Sequence, residues 1–160
     1  MKIRVGLGFD VHPLDEEHDL WIGGIKIPAE KGAVGQSDAD VLIHALCDAL
    51  LGAANLRDIG FHYSNNDPRW KGTDSKFFLS DVTRMLSEKG WKIENADCTL
   101  TLEKPKINPY IPEIKKVLAP LMNITEQDIS IKATTNEGMG YVGREEGVNA
   151  YAVVLISRDI

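Results

Sequence analysis

Only two cysteines occur in 160 residues, at positions 47 and 98, and they form no C-x-x-C spacing, so the chain carries no disulfide framework. Cys47 falls on an apolar helical pattern and Cys98 inside a strand-like run. Both read as buried thiols in a reducing compartment, which points to the cytoplasm. Long apolar runs are lacking too: charges or prolines break every stretch before it reaches the roughly 20 residues of a membrane helix. The opening Met-Lys-Ile-Arg-Val-Gly-Leu-Gly-Phe-Asp has no continuous apolar core and no small-residue cleavage site, so no signal peptide is expected. A basic stripe is missing, and the net charge is −6, which argues against a general nucleic-acid binder. A small anionic ligand stays compatible, because local cations and backbone amides decide its binding. Without internal repeats, low-complexity tracts or a Gly/Ser linker, residues 1–160 read as one domain. A chain of this size buries roughly 70% of its unfolded surface and needs no covalent staples.

Hydrophobic periodicity divides the chain. Ile3 to Val11 mixes glycine with apolar residues and reads as a strand, and Leu20 to Ile27, containing Gly23-Gly24, as a partner strand with a turn or bulge. Glu30 to Asp38 is loop-like, and Asp38 is placed to cap a helix running to about Ala54. A second helix follows Asp74 and reaches about Lys89, ending at Gly90. Trp91 to Glu103 alternates as a strand, and Pro109 to Leu121 reads as a third helix. Ile129 to Thr135 is a strand, Glu137 to Gly147 a glycine-rich turn region and Val148 to Ser157 a closing strand. Interspersed strands and helices predict an α/β (α+β) domain: a mixed sheet of four to five strands with helices on one face.

Asp10-Val11-His12 ends the first strand, and residues two apart on a strand point the same way, so a carboxylate and an imidazole converge. On the first helix Asp40, His44 and Asp48 recur every four residues and share a stripe. Packing that helix on the sheet would bring His44 to Asp10 and His12. Two nitrogens, one oxygen and one open position form the pattern of a catalytic zinc site. The same histidines would serve equally as hydrogen-bonded residues beside a core. His18 and His62 lie in loops and are read as surface residues or minor ligand contacts.

Lys132-Ala133-Thr134-Thr135-Asn136-Glu137-Gly138 leaves a strand for a glycine-rich turn, and Arg144 follows. Hydroxyls, backbone amides and a carboxylate suit a diphosphate with its divalent cation; a capped turn would use the same threonines locally. Leu56 to Pro68 is a long polar loop of the kind that often carries function. Its Asp58-Ile59-Gly60 and Asn65-Asn66-Asp67 suit sugar hydroxyls or ordinary turns alike.

Taken in order, Gly8-Phe9-Asp10-Val11-His12, Ser37-Asp38-Ala39-Asp40-Val41, the run from His44 to Ala53, Asp58-Ile59-Gly60, Lys71-Gly72-Thr73-Asp74-Ser75, Pro105-Lys106, Lys132-Ala133-Thr134-Thr135 and Gly143-Arg144 carry a resemblance. Over essentially its whole length the chain resembles the 2-C-methyl-D-erythritol 2,4-cyclodiphosphate synthase family. The resemblance implies a homotrimer with active sites between subunits. It also implies the substrate 4-diphosphocytidyl-2-C-methyl-D-erythritol 2-phosphate, closed to a cyclic diphosphate with loss of CMP on the non-mevalonate route to isoprenoids. It implies Zn2+ on Asp10, His12 and His44, and Mg2+ or Mn2+ bridging the diphosphate near Glu137. Asp58 would hold the ribose, and Leu102 to Asn108, with Pro105 and Lys106, would line the cytidine pocket. Thr134 and Thr135 would contact the diphosphate, Thr135 also supporting the transition state. Ser37, Ile59, Gly60, Tyr63, Asn65, Asp67, Asn136 and Tyr141 complete the implied substrate contacts. Arg144 and Glu146 would gate an axial channel holding an isoprenoid diphosphate.

Three residues depart from the family pattern. Gln36 stands where a histidine assisting the transition state is usual; it donates a hydrogen bond but carries no charge, so weaker pH dependence and slower turnover are expected. Asn65 replaces a carboxylate, and Glu145 a glycine. Two rival readings stand beside the synthase. One is a zinc hydrolase with Asp40 or Asp48 as general base, although no H-E-x-x-H is present. The other is a trimeric binder of nucleotide or isoprenoid diphosphate that has lost activity.

Overall fold

The computed structural model describes residues 1–160. Strand β1 runs from Lys2 to Asp15, longer at both ends than its apolar core suggests. Leu20–Ile22 (β2) and Ile25–Ile27 (β3) pair with each other in a separate hairpin, not with β1 as the sequence reading had it. The reason is Gly23-Gly24: both residues have positive φ and close a two-residue turn that folds the segment back on itself. Gly32–Ala33 (β4) adds a short edge to β1. Helix α1 spans Val41–Ala53, α2 Ile59–His62, α3 Ser75–Glu88 and α4 Ile111–Leu121. Strands β5 (Lys92–Thr101) and β6 (Ile129–Thr134), the helical turn α5 (Gly140–Gly143) and β7 (Gly147–Arg158) complete the chain. The five-stranded sheet has the order β4-β1-β7-β5-β6 and is mixed: β7 runs antiparallel to β1 and β5, and β5 parallel to β6.

Period-two alternation sorts β1 by face. Gly6 and Gly8 are buried toward α1, while Ile3, Val5, Leu7, Phe9 and Val11 are exposed on the other side, Leu7 at 68%. Tyr151 and Val153 of β7 continue that open apolar face. Helix α1 lies between the sheet and α3 and is apolar nearly all round, as a helix covered on both sides must be. In α3, Phe78, Leu79, Val82 and Leu86 form one buried stripe, and the opposite face is polar.

Helix α1 starts later than expected, because Asp40 and not Asp38 caps it: the Asp40 carboxylate accepts from Ile43 N. The same carboxylate, wholly buried, also accepts from Gly23 N at 2.9 Å and Gly24 N at 2.7 Å, fastening the β2–β3 turn to the helix start. This turns Asp40 away from the stripe that His44 occupies. Burial and the charge of Asp38 push its carboxyl up to about 6 against those three donors. Asp40→Ala strips a cap and leaves three amides without an acceptor, so a loss of about 3 kcal/mol is expected in denaturant melts. A folded-state value raised above that of the unfolded chain means native Asp40 holds a proton between about pH 4 and 6 that the unfolded chain has lost. Its contribution therefore falls as pH rises through 6, and the deficit of the variant should be about 1 kcal/mol larger at pH 5 than at pH 7. A deficit that grows with pH would contradict this assignment.

Candidate metal centre and substrate cleft

Gly6 and Gly8 let α1 ride directly on β1: a Cβ at Gly8 would sit 1.9 Å from the Ala45 carbonyl oxygen. That approach brings His44 to the strand end. Asp10 Oδ2 lies 2.8 Å from His12 Nε2 and 3.1 Å from His44 Nδ1, and the two ring nitrogens are 3.2 Å apart. These separations are close to the roughly 3.3 Å edge of a tetrahedron built on bonds of about 2.0 Å. One carboxylate oxygen and two imidazole nitrogens, all half-buried around one point, fit a divalent metal with an open position. The far ring nitrogens are oriented as metal-bound histidines require. His12 Nδ1 lies 3.1 Å from the Val34 carbonyl, so it carries the proton and frees Nε2. Burial works to raise the Asp10 carboxyl, but hydrogen bonds from both histidines and their charges outweigh it and hold it at about 2. Burial lowers His12, yet the Asp10 hydrogen bond and charge raise it overall. Charge is thereby concentrated at the floor of the cleft.

The cleft above these groups has a volume of about 690 Å³ and is walled by Gln36, Ser37, Ile59, Gly60, Tyr63 and Asn65, among others. The expected loop from Leu56 to Pro68 is partly ordered as α2, with Asp58 as its cap. Three side chains from elsewhere pin it. Asp48 accepts from Ile59 N at 2.8 Å, Tyr63 Oη donates to Asp81 at 2.5 Å, and Gln36 Nε2 donates to the Asp67 carbonyl at 3.1 Å. The Tyr63–Asp81 tie and Asp48 are features the sequence reading assigned no such role. Asp58 and Asp67 spend acceptors on their own loop, at Phe61 N and Arg69. His62 ends α2 instead of lying in a loop, with Nε2 at 2.7 Å from the Leu56 carbonyl, and exposed His18 pairs with Asp15.

Gln36 is the departure with a geometric consequence. Its amide nitrogen is committed to Asp67, and its Oε1 is buried without a partner. One of its two amide N–H groups is therefore spent on the loop, and the other offers a phosphate oxygen a single neutral donor and no charge. Gln36→His would supply a group that can carry charge. Faster turnover and a new acidic limb in the pH–rate profile are expected, and an unchanged rate and profile would count against this account.

A second hollow, about 130 Å³, gathers Leu102, Pro105, Lys106, Asn108, Thr134 and Thr135 after the ends of β5 and β6. The registers Asp10–Ala150, Ala150–Leu100 and Leu100–Ala133 put it three strand spacings, roughly 14 Å, from the metal ligands. The structure thus does not bring Thr134, Thr135 or Lys106 into the metal cleft of the same chain. Asn136 N binds the Glu103 carboxylate at 2.6 Å, and Glu137 sits exposed at φ 54° outside the ligand cluster. Tyr141 Oη accepts from Asn149 at 2.6 Å on the open-face side of β7, and exposed Arg144 pairs with Glu146 at 2.9 Å. Glu145, where a glycine is common, takes φ 59°.

Comparison with known proteins gives one concordant result. The family model described as the YgbB family matches residues 3–157. A protein of Cytophaga hutchinsonii named 2-C-methyl-D-erythritol 2,4-cyclodiphosphate synthase is 63% identical over 156 residues, 98% of each chain. One of the same name from Parabacteroides distasonis is 58% identical, covering 99% of this chain and 98% of that protein. The bifunctional IspDF of Campylobacter jejuni superimposes with a TM-score of 0.94 at 34% identity, covering 99% of this chain and 43% of that longer one. A 2C-methyl-D-erythritol-2,4-cyclodiphosphate synthase structure in a CDP-bound form gives a TM-score of 0.89 at 38% identity, covering 96% of this chain and all of the other.

Proposed function

The chain belongs to the YgbB family, and from that premise we propose that Asp10, His12 and His44 hold zinc in an enzyme that cyclises 4-diphosphocytidyl-2-C-methyl-D-erythritol 2-phosphate with release of CMP. Its activity is that of its relatives, formation of 2-C-methyl-D-erythritol 2,4-cyclodiphosphate in non-mevalonate isoprenoid biosynthesis, and it is a lyase acting on a small cytidine-bearing substrate. The observation that carries the metal reading is the convergence of the three ligand atoms from β1 and α1.

The chemistry needs no serine or cysteine nucleophile, because the substrate's own 2-phosphate attacks the β-phosphorus while CMP departs. What remains for the protein is positioning and charge neutralisation. A bound divalent ion supplies Lewis acidity at the phosphoryl oxygens. The pinned loop carrying Ile59, Gly60 and Asn65 forms a wall for the erythritol, and Asp58 stands next to it for the ribose. Thr134, Thr135 and Asn136 offer hydroxyls and amides to the diphosphate, with Glu137 beside them for Mg2+ or Mn2+, and Lys106 faces the cytidine. Tyr141 and Arg144 stand at the end of the open sheet face.

Two separated half-sites in one chain support an assembly in which the hollow of one subunit completes the metal cleft of the next. The apolar face of β1 and β7, with Ile3, Val5, Leu7, Phe9, Val11, Tyr151 and Val153 exposed side by side, supports the same reading. We take the assembly to be a homotrimer built from one domain, residues 1–160. The apolar face would line its axis, where an isoprenoid diphosphate fits beside Arg144 and Glu146. Two buried free cysteines favour the cytoplasm, and no helix is long and apolar enough to cross a membrane.

The hydrolase alternative loses its base: Asp40 is a buried cap and Asp48 is bound to Ile59 N. The direct test is phosphorus NMR of purified protein incubated with the substrate, zinc and magnesium. Stoichiometric CMP and a cyclic diphosphate are expected. Retained zinc and CDP binding without turnover would instead establish a degenerate binder.

A further inference from the structure

His44 meets the metal position through Nδ1, so its proton must sit on Nε2, and two residues outside the ligand set decide that. His44 Nε2 lies 2.9 Å from Ser75 Oγ, a hydroxyl wholly buried at the first position of α3. A hydroxyl has one proton and can donate only once. Ser75 Oγ donates to Asp38 Oδ1, and Asp38 Oδ2 accepts from Ser75 N at 2.9 Å, so the carboxylate grips this serine twice. With its proton turned toward Asp38, Ser75 can only accept from His44. Asp38 is itself held: Oδ1 accepts from Asp40 N at 3.1 Å, and Asp38 N donates to the Thr73 carbonyl at 3.2 Å. Ser37 Oγ, at 3.3 Å from the same ring nitrogen, is a longer and weaker second partner.

We infer that Asp38 and Ser75 form a relay that fixes His44 in the Nε2–H tautomer and so aims the Nδ1 lone pair at the metal. They are positioning residues, acting through His44 and touching neither metal nor substrate. His12 gets the same service from a backbone carbonyl at Val34, which no side-chain substitution can remove. His44 depends on side chains, so its tautomer can be switched. Without Asp38, the Ser75 proton has no acceptor but His44 Nε2. Turning there, it drives the imidazole proton onto Nδ1, the nitrogen that must be bare. The inference rests on the metal reading above, and its test does not depend on turnover.

The experiment measures zinc affinity by competition with a chromophoric chelator in the wild type, Ser75→Ala, Asp38→Ala and the double variant. Nitrogen NMR of the metal-free proteins reports the His44 tautomer. Ser75→Ala should weaken zinc binding roughly 10-fold and Asp38→Ala toward 100-fold, the range set by lost outer-shell support. The double variant should recover to the Ser75→Ala level, because removing the hydroxyl removes the misdirected donor. Asp38→Ala alone should carry more of the Nδ1–H form than the metal-free wild type. A merely structural role predicts additive losses and an unaltered tautomer, and either result overturns the relay. With no ion bound, Asp10 Oδ2 at 3.1 Å can itself accept from His44 Nδ1, so the variants are read against the metal-free wild type. A zinc-loaded wild type whose His44 Nε2–H exchanges with solvent as fast as a free imidazole's overturns the relay without any variant having to fold. A wild type that takes up no zinc overturns the metal reading first, and the relay with it.

Discussion

His44→Ala is expected to lose zinc and at least ~10³-fold in turnover while keeping its fold. The ring supplies one of three ligand atoms, and two ligands do not hold an ion against water at catalytic concentrations. A metal that neutralises charge on transferring phosphoryl groups contributes several kcal/mol to the barrier, and about 4 kcal/mol is a factor of ~10³. Stability should suffer less than for a core residue. His44 faces the cleft with Asp10 and His12 beside it, while its neighbours on α1 (Ile43, Ala45 and Leu46) make the packing. Removing it also relieves the crowding of two imidazoles and a carboxylate around one point. His62→Ala is the matched control. That ring sits in the substrate loop itself, outside the ligand cluster, and its one hydrogen bond is to the Leu56 carbonyl, so zinc content and rate should stay within about threefold of wild type. Metal analysis and the phosphorus NMR assay read both. A histidine that is only a hydrogen-bonded neighbour of the core would give the reverse pattern, a lower melting temperature with zinc content unchanged, and that result would sink the metal centre.

The parts of this site that were legible in the sequence are those fixed by local periodicity. Asp10 and His12 share a strand face because strand side chains alternate, and His44 lies on an apolar helix that had to pack on that strand. What stayed hidden depends on where the backbone comes close to itself. Asp40 reads as a third member of the His44 stripe until the β2–β3 turn is seen to deliver Gly23 and Gly24 amides to its carboxylate. The hairpin reads as a strand because its glycine pair suits a bulge as well as a turn. Asp38 and Ser75 are 37 positions apart and meet only because α3 starts beside the loop that precedes α1. The open apolar face was invisible for a different reason: Ile3, Val5 and Leu7 follow the pattern of any half-buried strand, and periodicity does not say which face meets a helix. The separation of the hollow at Lys106 and Thr134 from the metal cleft follows from strand order, which lies beyond any local signal.

Gly8 carries the second large expectation, and it ties the fold to the chemistry. A methyl group at this position would stand 1.9 Å from the Ala45 carbonyl oxygen, 2.7 Å from Ala49 N and 2.9 Å from the Ala45 carbonyl carbon, all backbone atoms of α1. Side chains can rotate out of a clash, but a helix backbone can only move as a body. Gly8→Ala must therefore lift α1 off β1 or bend the strand, at a cost of about 3 kcal/mol, the upper part of the range for overpacking. The displacement falls next to His44, the residue preceding Ala45, and two residues along the strand from Asp10. A shift of about 1 Å there is enough to lower turnover by ~10²-fold through misplacement alone. Zinc affinity should drop with it, because Asp10 and His12 stay on the strand while His44 leaves with the helix. Gly52→Ala separates this effect from the general consequences of filling a glycine. Gly52 also lies in α1, is exposed and has nothing within 4 Å of where its Cβ would be. There the methyl group should raise stability by roughly 0.5–1 kcal/mol through helix propensity and leave zinc and rate untouched. Denaturant melts, metal titration and the turnover assay on this pair give the answer. If Gly8→Ala folds with wild-type stability and wild-type zinc affinity, the close seating of α1 on β1 is not what assembles the metal centre.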